Sequence, residues 1–196
     1  MRKAMIGCAV FFILALITGL VSRQCRADEA SIPSFGEGKV NVKLYTDYFC
    51  QPCNEMEPAI EPVLTDLVRT KTIRIMFIDT PFHRYSSLYA RYFLYAVREN
   101  KAWEHVLFVR KSLIEAARQK IYDVQKLEAF LNEKKIGFTP YDVKPVFNAM
   151  SGYLKQDAID RTPTCLVETG GITNKYSGKP DIASALVKLR QANPAK

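Results

Sequence analysis

The chemistry of this chain turns on two cysteines, Cys50 and Cys53, separated by Gln51 and Pro52. A C-x-x-C pair closes a short disulfide or supplies half of a zinc site. Zinc wants four N or S ligands in a compact tetrahedron. The only histidines are His83 and His105, and beyond the N-terminal stretch the only further cysteine is Cys165. The donor set falls short, so no metal and no cofactor are expected. A purely structural bridge is the other plain outcome, but so short a loop is strained and easily reduced.

A redox pair makes demands on the elements that carry it. The thiolate is the nucleophile, and the free N–H groups and positive dipole end of a helix stabilise it. At such places a cysteine pKa falls from about 8.5 into the range of about 3.5–7.5. The flanking sequence supplies what is needed. Val40, Val42 and Leu44 alternate with Asn41, Lys43 and Tyr45 as a strand does, and residues 50–64 then take on helical character. Cys50 should start that helix as the exposed attacking sulfur. Cys53, one turn on, should be the shielded resolving one.

The run Tyr45-Thr46-Asp47-Tyr48-Phe49-Cys50-Gln51-Pro52-Cys53 resembles the active-site segment of the thioredoxin superfamily, especially its DsbA-like branch. Phe49 stands where that branch commonly has an aromatic. Pro52 in the dipeptide and Pro58 in the following helix are closer to thioredoxin itself. The dipeptide Gln51-Pro52 has no His, and Leu44 stands where an acid is common six positions before the first cysteine. A second motif, Arg161-Thr162-Pro163-Thr164 before an apolar strand, is similar to the superfamily's cis-proline loop. There the backbone of Thr162, ahead of Pro163, would pair with an extended substrate by strand addition. The resemblance covers residues 39–191. It implies an α/β thioredoxin fold, a central mixed β-sheet flanked by helices, with an inserted helical subdomain. It further implies disulfide exchange with cysteine-containing protein substrates, oxidation favoured over reduction, and a membrane-bound redox partner protein. A reductase of the same compartment is the alternative, and a non-catalytic peptide- or metal-binding module is another.

The rest of the chain fits an exported protein. Arg2 and Lys3 precede an apolar run at 4–21, and small residues flank Arg26, so residues 1–27 read as a signal peptide. An uncleaved membrane anchor is the other reading, since roughly 20 apolar residues suffice to span. Either way a periplasmic or other extracytoplasmic location is expected, where disulfides persist. Residues 28–38, polar and rich in Pro and Gly, read as a leader to a domain at 39–196. The net charge of +8 includes four basic residues in 1–27, leaving +4 for the remainder. With both signs interspersed, so small an excess gives no reason to expect nucleic acid as a partner.

Residues 73–78 read as a second core strand, and 165–168 as a third, joined by Gly170-Gly171 to a fourth at 172–176. Between the second and third, four helical patterns place an insertion at about 84–158, the last capped by Asp142. A closing helix is expected over 181–191. Tyr85, Tyr89, Tyr92 and Ala96 form a core stripe, while Arg84, Arg91 and Arg98 form a solvated one. His83, in the turn after the second strand, is a better candidate than His105 for a place near the cysteines. Cys165 reads as a small buried hydrophobe.

Overall fold

The structure is a computed structural model and describes residues 32–193. Five strands form one mixed sheet in the order β1-β3-β2-β4-β5. They are β1 (Ser34–Phe35), β2 (Val40–Thr46), β3 (Ile73–Asp79), β4 (Thr164–Thr169) and β5 (Ile172–Ser177). β2 and β3 run parallel, with Leu44 opposite Phe77, and the other neighbours are antiparallel. Parallel strands need a crossover, and α1 (Gln51–Arg69) supplies it. Helices α2 (Ser86–Glu99), α3 (Trp103–Arg118), α4 (Val124–Glu133) and α5 (Lys144–Gln156) stand between β3 and β4, and α6 (Lys179–Ala192) closes the chain. The architecture is therefore the α/β one that the resemblance implied.

Residues 77–79 of β3 and 164–167 of β4 are buried at every position, so both faces of the sheet are covered there. On β2 the even alternation breaks at Tyr45, which is fully buried. Its hydroxyl donates to Asp157, the residue that ends α5, and Lys43 pairs with the same carboxylate. The end of the helical insertion is thus fastened to the strand that leads to the cysteines. In the tyrosine stripe Tyr89, Tyr92 and Ala96 are buried while Tyr85 is half-buried. The three arginines of the other stripe are exposed.

Three boundaries differ from the sequence expectations. The leader assigned to 28–38 contributes β1: Phe35 is only 4% exposed and packs on Phe77, Phe93 and Trp103. Its glycines allow close approach. A Cβ at Gly38 would lie 2.1 Å from Thr72 and Ile73 backbone atoms. Asp142 is not the cap of α5. That place belongs to Val143, and the Asp142 carboxylate instead accepts from Lys144 N at 3.0 Å, an Asx-type turn one residue earlier. α6 starts at Lys179 with Pro180 in its first turn, where a missing N–H costs nothing. The signal segment expected at 1–27 lies outside the described residues. Among those described, no helix is long and apolar enough to cross a membrane.

Candidate active site

β2 ends at Thr46, and the chain must turn sharply to enter α1. Asp47 makes that turn. Its backbone oxygen accepts from Cys50 N at 3.1 Å and its Oδ1 from Phe49 N at 2.8 Å. The other oxygen, Oδ2, accepts from Ser86 Oγ at 2.7 Å and Phe82 N at 3.2 Å, and lies 3.1 Å from His83 Nδ1. A carboxylate that is 1% exposed therefore ties the cysteine turn to the segment entering α2. His83 does come near the site, but it binds Asp47 rather than a sulfur. His105 sits on α3, with a buried Nε2 that has no partner among the described residues.

Cys50 is the N-cap of α1, and its sulfur accepts from Cys53 N at 3.3 Å. Both cysteines are free thiols. Pro52 lies in the first turn, where no N–H is required, and the Gln51 amide donates to Glu55 at 3.0 Å on the exposed side. The Thr162-Pro163 peptide is cis. The loop brings the Thr162 carbonyl to 3.5 Å from Cys50 Sγ, so the structure gathers Cys50, Cys53, Thr162 and Pro163 in one place. It also corrects one expectation: Cys50 is only 7% exposed, because this loop lies against its sulfur. Cys53 is fully buried.

The two thiols diverge chemically. The Cys50 thiol is lowered to about 6, chiefly by the Cys53 side chain hydrogen-bonding to its sulfur. Burial opposes this lowering, the Thr162 side chain and the Cys53 N–H reinforce it, and the charge of Asp47 works against it. The Cys53 thiol is pushed far up, by its hydrogen bond to Cys50 and then by burial. One sulfur is poised as a thiolate at neutral pH while the other keeps its proton. Cys165, on β4 opposite Leu44, is fully buried, and burial pushes its thiol up to about 12.

Directly beneath lies a feature that the motif reading missed. Arg110 of α3 is 2% exposed and reaches Glu57 of α1 through two bonds of 2.8 Å, Asp79 of β3 at 3.2 Å and the Tyr48 hydroxyl at 3.2 Å. Thr46 Oγ1 adds a bond to Glu57 at 2.7 Å, and the guanidinium lies 4.3 Å from the Phe77 ring centroid. Burial pushes the Asp79 carboxyl up to about 6 against the pull of Arg110, with Glu57 adding to the rise. A signal was there to find. Arg110 falls four residues after Val106 and three before Leu113, on the core face of its helix. Asp47, three residues before Cys50, left no such pattern.

Pro58 and Pro62 sit inside α1, and the helix runs through both. Pro58 cannot donate to the carbonyl four residues back, that of Asn54. Arg118 Nη2 occupies that oxygen at 3.0 Å.

The family model for thioredoxin matches residues 36–180. The chain belongs to the thioredoxin family. Among solved structures, its fold is similar to a periplasmic thioredoxin-like protein from Salmonella enterica serovar Typhimurium. That structure is 20% identical, with 86% of this chain and 94% of the other covered and a TM-score of 0.62. The catalytic domain of Proteus mirabilis ScsC is also 20% identical, covering 86% and 93%, with a TM-score of 0.59. The thiol-disulfide exchange protein alpha-DsbA2 from Wolbachia pipientis is 17% identical, covering 83% and 87%, with a TM-score of 0.58. No curated protein matches the chain. Within the thioredoxin fold, Cys50 and Cys53 occupy the start of the crossover helix and Thr162-Pro163 the entry to the antiparallel strand beside it.

Proposed function

We propose that this protein is an exported thiol–disulfide oxidoreductase that oxidises cysteine-containing proteins through Cys50 and Cys53. The observation that carries the reading is the Cys50 sulfur, held at a helix N-terminus with its thiol lowered to about 6 beside a Cys53 thiol pushed far up.

In the oxidised enzyme a substrate thiolate attacks Cys50. The new sulfur–sulfur bond forms as the Cys50–Cys53 bond breaks, and Cys53 leaves with the electron pair and takes up a proton. A second substrate thiolate then attacks the substrate sulfur of the mixed disulfide, and Cys50 departs as a thiolate. The substrate loses two electrons and two protons. A leaving thiol of low pKa departs faster, and stabilising it in the reduced enzyme makes the disulfide a better oxidant. The carbonyl of Thr162 borders the reacting sulfur, where it can accept from the backbone of an extended substrate. A membrane-bound redox partner would restore the Cys50–Cys53 disulfide, and residues 1–27 would direct export to the periplasm or an equivalent compartment.

A reductase of the same compartment is the second reading, favoured by Pro52 in the dipeptide. Oxidation of a reduced two-cysteine peptide separates these from a binding module. The proposal expects oxidation well above the rate with glutathione disulfide alone, and a rate no faster than that would end the enzyme reading.

A further inference from the structure

Beside the cysteine turn lies an open cleft of about 520 Å³, lined by Phe49, Asn54, Glu55, Arg118, Lys120 and Tyr122 among others. Its walls come from the start of α1 and from the α3–α4 connection, none from the Thr162-Pro163 loop. A substrate held at Cys50 can therefore meet it through a different part of its chain from the part that meets Thr162.

Three observations say what the cleft would hold. Its floor is aromatic and fixed. Phe49 packs edge-on against Tyr89 at 4.9 Å and lies 6.0 Å from Tyr122, which stacks on Tyr85 at 4.3 Å. Tyr122 is nonetheless 41% exposed, so a flat side chain can lie against the row. Second, Asn54 is 8% exposed and its Nδ2 donates to the Tyr48 carbonyl, yet its buried Oδ1 has no partner among the described residues. Asn54 lines the cleft, and a buried acceptor left unpaired is costly, so a small shift of its side chain that let a peptide N–H reach Oδ1 would be favourable. Third, the charges do not balance. Glu55 already accepts from Gln51, while Arg118 uses one nitrogen on the Asn54 carbonyl, and Lys120 makes no ion pair among the described residues. An aromatic floor alone would favour a cation. Two basic side chains against one acid reverse that preference.

We infer that this cleft selects protein thiols whose cysteine is flanked by an aromatic and an acidic residue, the ring lying on Phe49 and Tyr122 and the carboxylate facing Lys120 and Arg118. The inference rests on the oxidoreductase reading and names its substrate class.

Three two-cysteine peptides test it, alike except for residues flanking the reacting cysteine on both sides: Trp-Asp, Trp-Lys or Gly-Asn. Each is reduced, mixed with the oxidised full-length protein, and followed by separation of thiol and disulfide peptide, with dithiothreitol as a fourth substrate. The Trp-Asp peptide should react about two- to fivefold faster than the Trp-Lys one, the range that one partly exposed charge pair allows. Lys120→Glu should invert that order, and Tyr122→Ser should draw the Trp-Asp rate towards that of Gly-Asn. Equal rates for the three peptides, with dithiothreitol oxidised, would overturn the cleft and leave the enzyme reading standing. Oxidation of none of the four would overturn both.

Discussion

The cysteine turn and the Arg110 cluster are adjacent, yet they handle buried charge in opposite ways. At the turn an anion is held by the Cys53 N–H and side chain and by the helix end, and among the described residues no cationic side chain pairs with the sulfur. In the cluster a cation is held by two carboxylates, from α1 and β3, and by a tyrosine hydroxyl from the cysteine turn. The first arrangement leaves the charge able to leave, because a proton or a sulfur can replace it. The second locks it in place. The reactive turn is thereby set on a rigid seat, where α3 of the insertion is clamped to α1 and β3.

The contrast is broken most severely at the cysteines. Cys50→Ser should abolish disulfide exchange, while Cys53→Ala should keep the attacking sulfur and accumulate mixed disulfides with substrates, seen as added mass on non-reducing separation. Exchange that survives Cys50→Ser would remove the distinction between seat and reactive centre.

Next comes the seat. Arg110→Met leaves Glu57 and Asp79 facing each other without their cation, and losing one partner of a buried pair costs about 3–5 kcal/mol. Urea unfolding should show a loss of that size, and a loss below about 1 kcal/mol, typical of an exposed pair, would contradict the clamp.

A gentler change sharpens the same point. Asp79 has a folded-state pKa of about 6, above its ordinary value, so it favours the folded state at acid pH. That contribution is complete below about pH 4 and is lost as pH rises through 6. Asp79→Asn should therefore gain on the wild type by roughly 2–3 kcal/mol between pH 4 and pH 7, at about 1.36 kcal/mol per unit. Parallel unfolding curves across that window would show that the carboxyl is not perturbed.

The smallest effect is kinetic. With iodoacetamide, Cys50 should alkylate at a rate that rises with pH to a midpoint near 6 and then levels, while Cys53 stays slow throughout. Peptide mass spectrometry resolves the two. Equal rates for both sulfurs would contradict their different surroundings.

What the sequence made legible was local. The C-x-x-C after an alternating strand and the Thr-Pro before an apolar one are short patterns whose chemistry depends on a few neighbours, and the structure brings them together. The helical insertion was legible from its period, because amphipathic faces repeat. The missed features depend on partners far along the chain. Arg110 meets acids 53 and 31 residues away, and its place on a core face is meaningful only once Glu57 and Asp79 are known to face it. Asp47 is anchored by residues 35 to 39 positions on. β1 is two residues long and lies among glycines and a proline, where composition reads as loop although Phe35 finds the core. The motifs gave the nearness of the Thr162-Pro163 loop to Cys50, but not that its closeness leaves the sulfur only 7% exposed.

The central claim is that a Cys50 thiolate stabilised at the head of α1 makes the Cys50–Cys53 disulfide an oxidant. Equilibration of the full-length protein with glutathione buffers measures this directly, through the fraction of reduced enzyme at each ratio. The account predicts a reduction potential in the oxidising range of about −120 to −200 mV, where a stabilised reduced form places such proteins. A value at or below about −270 mV, the poise of a reducing thioredoxin, would contradict it.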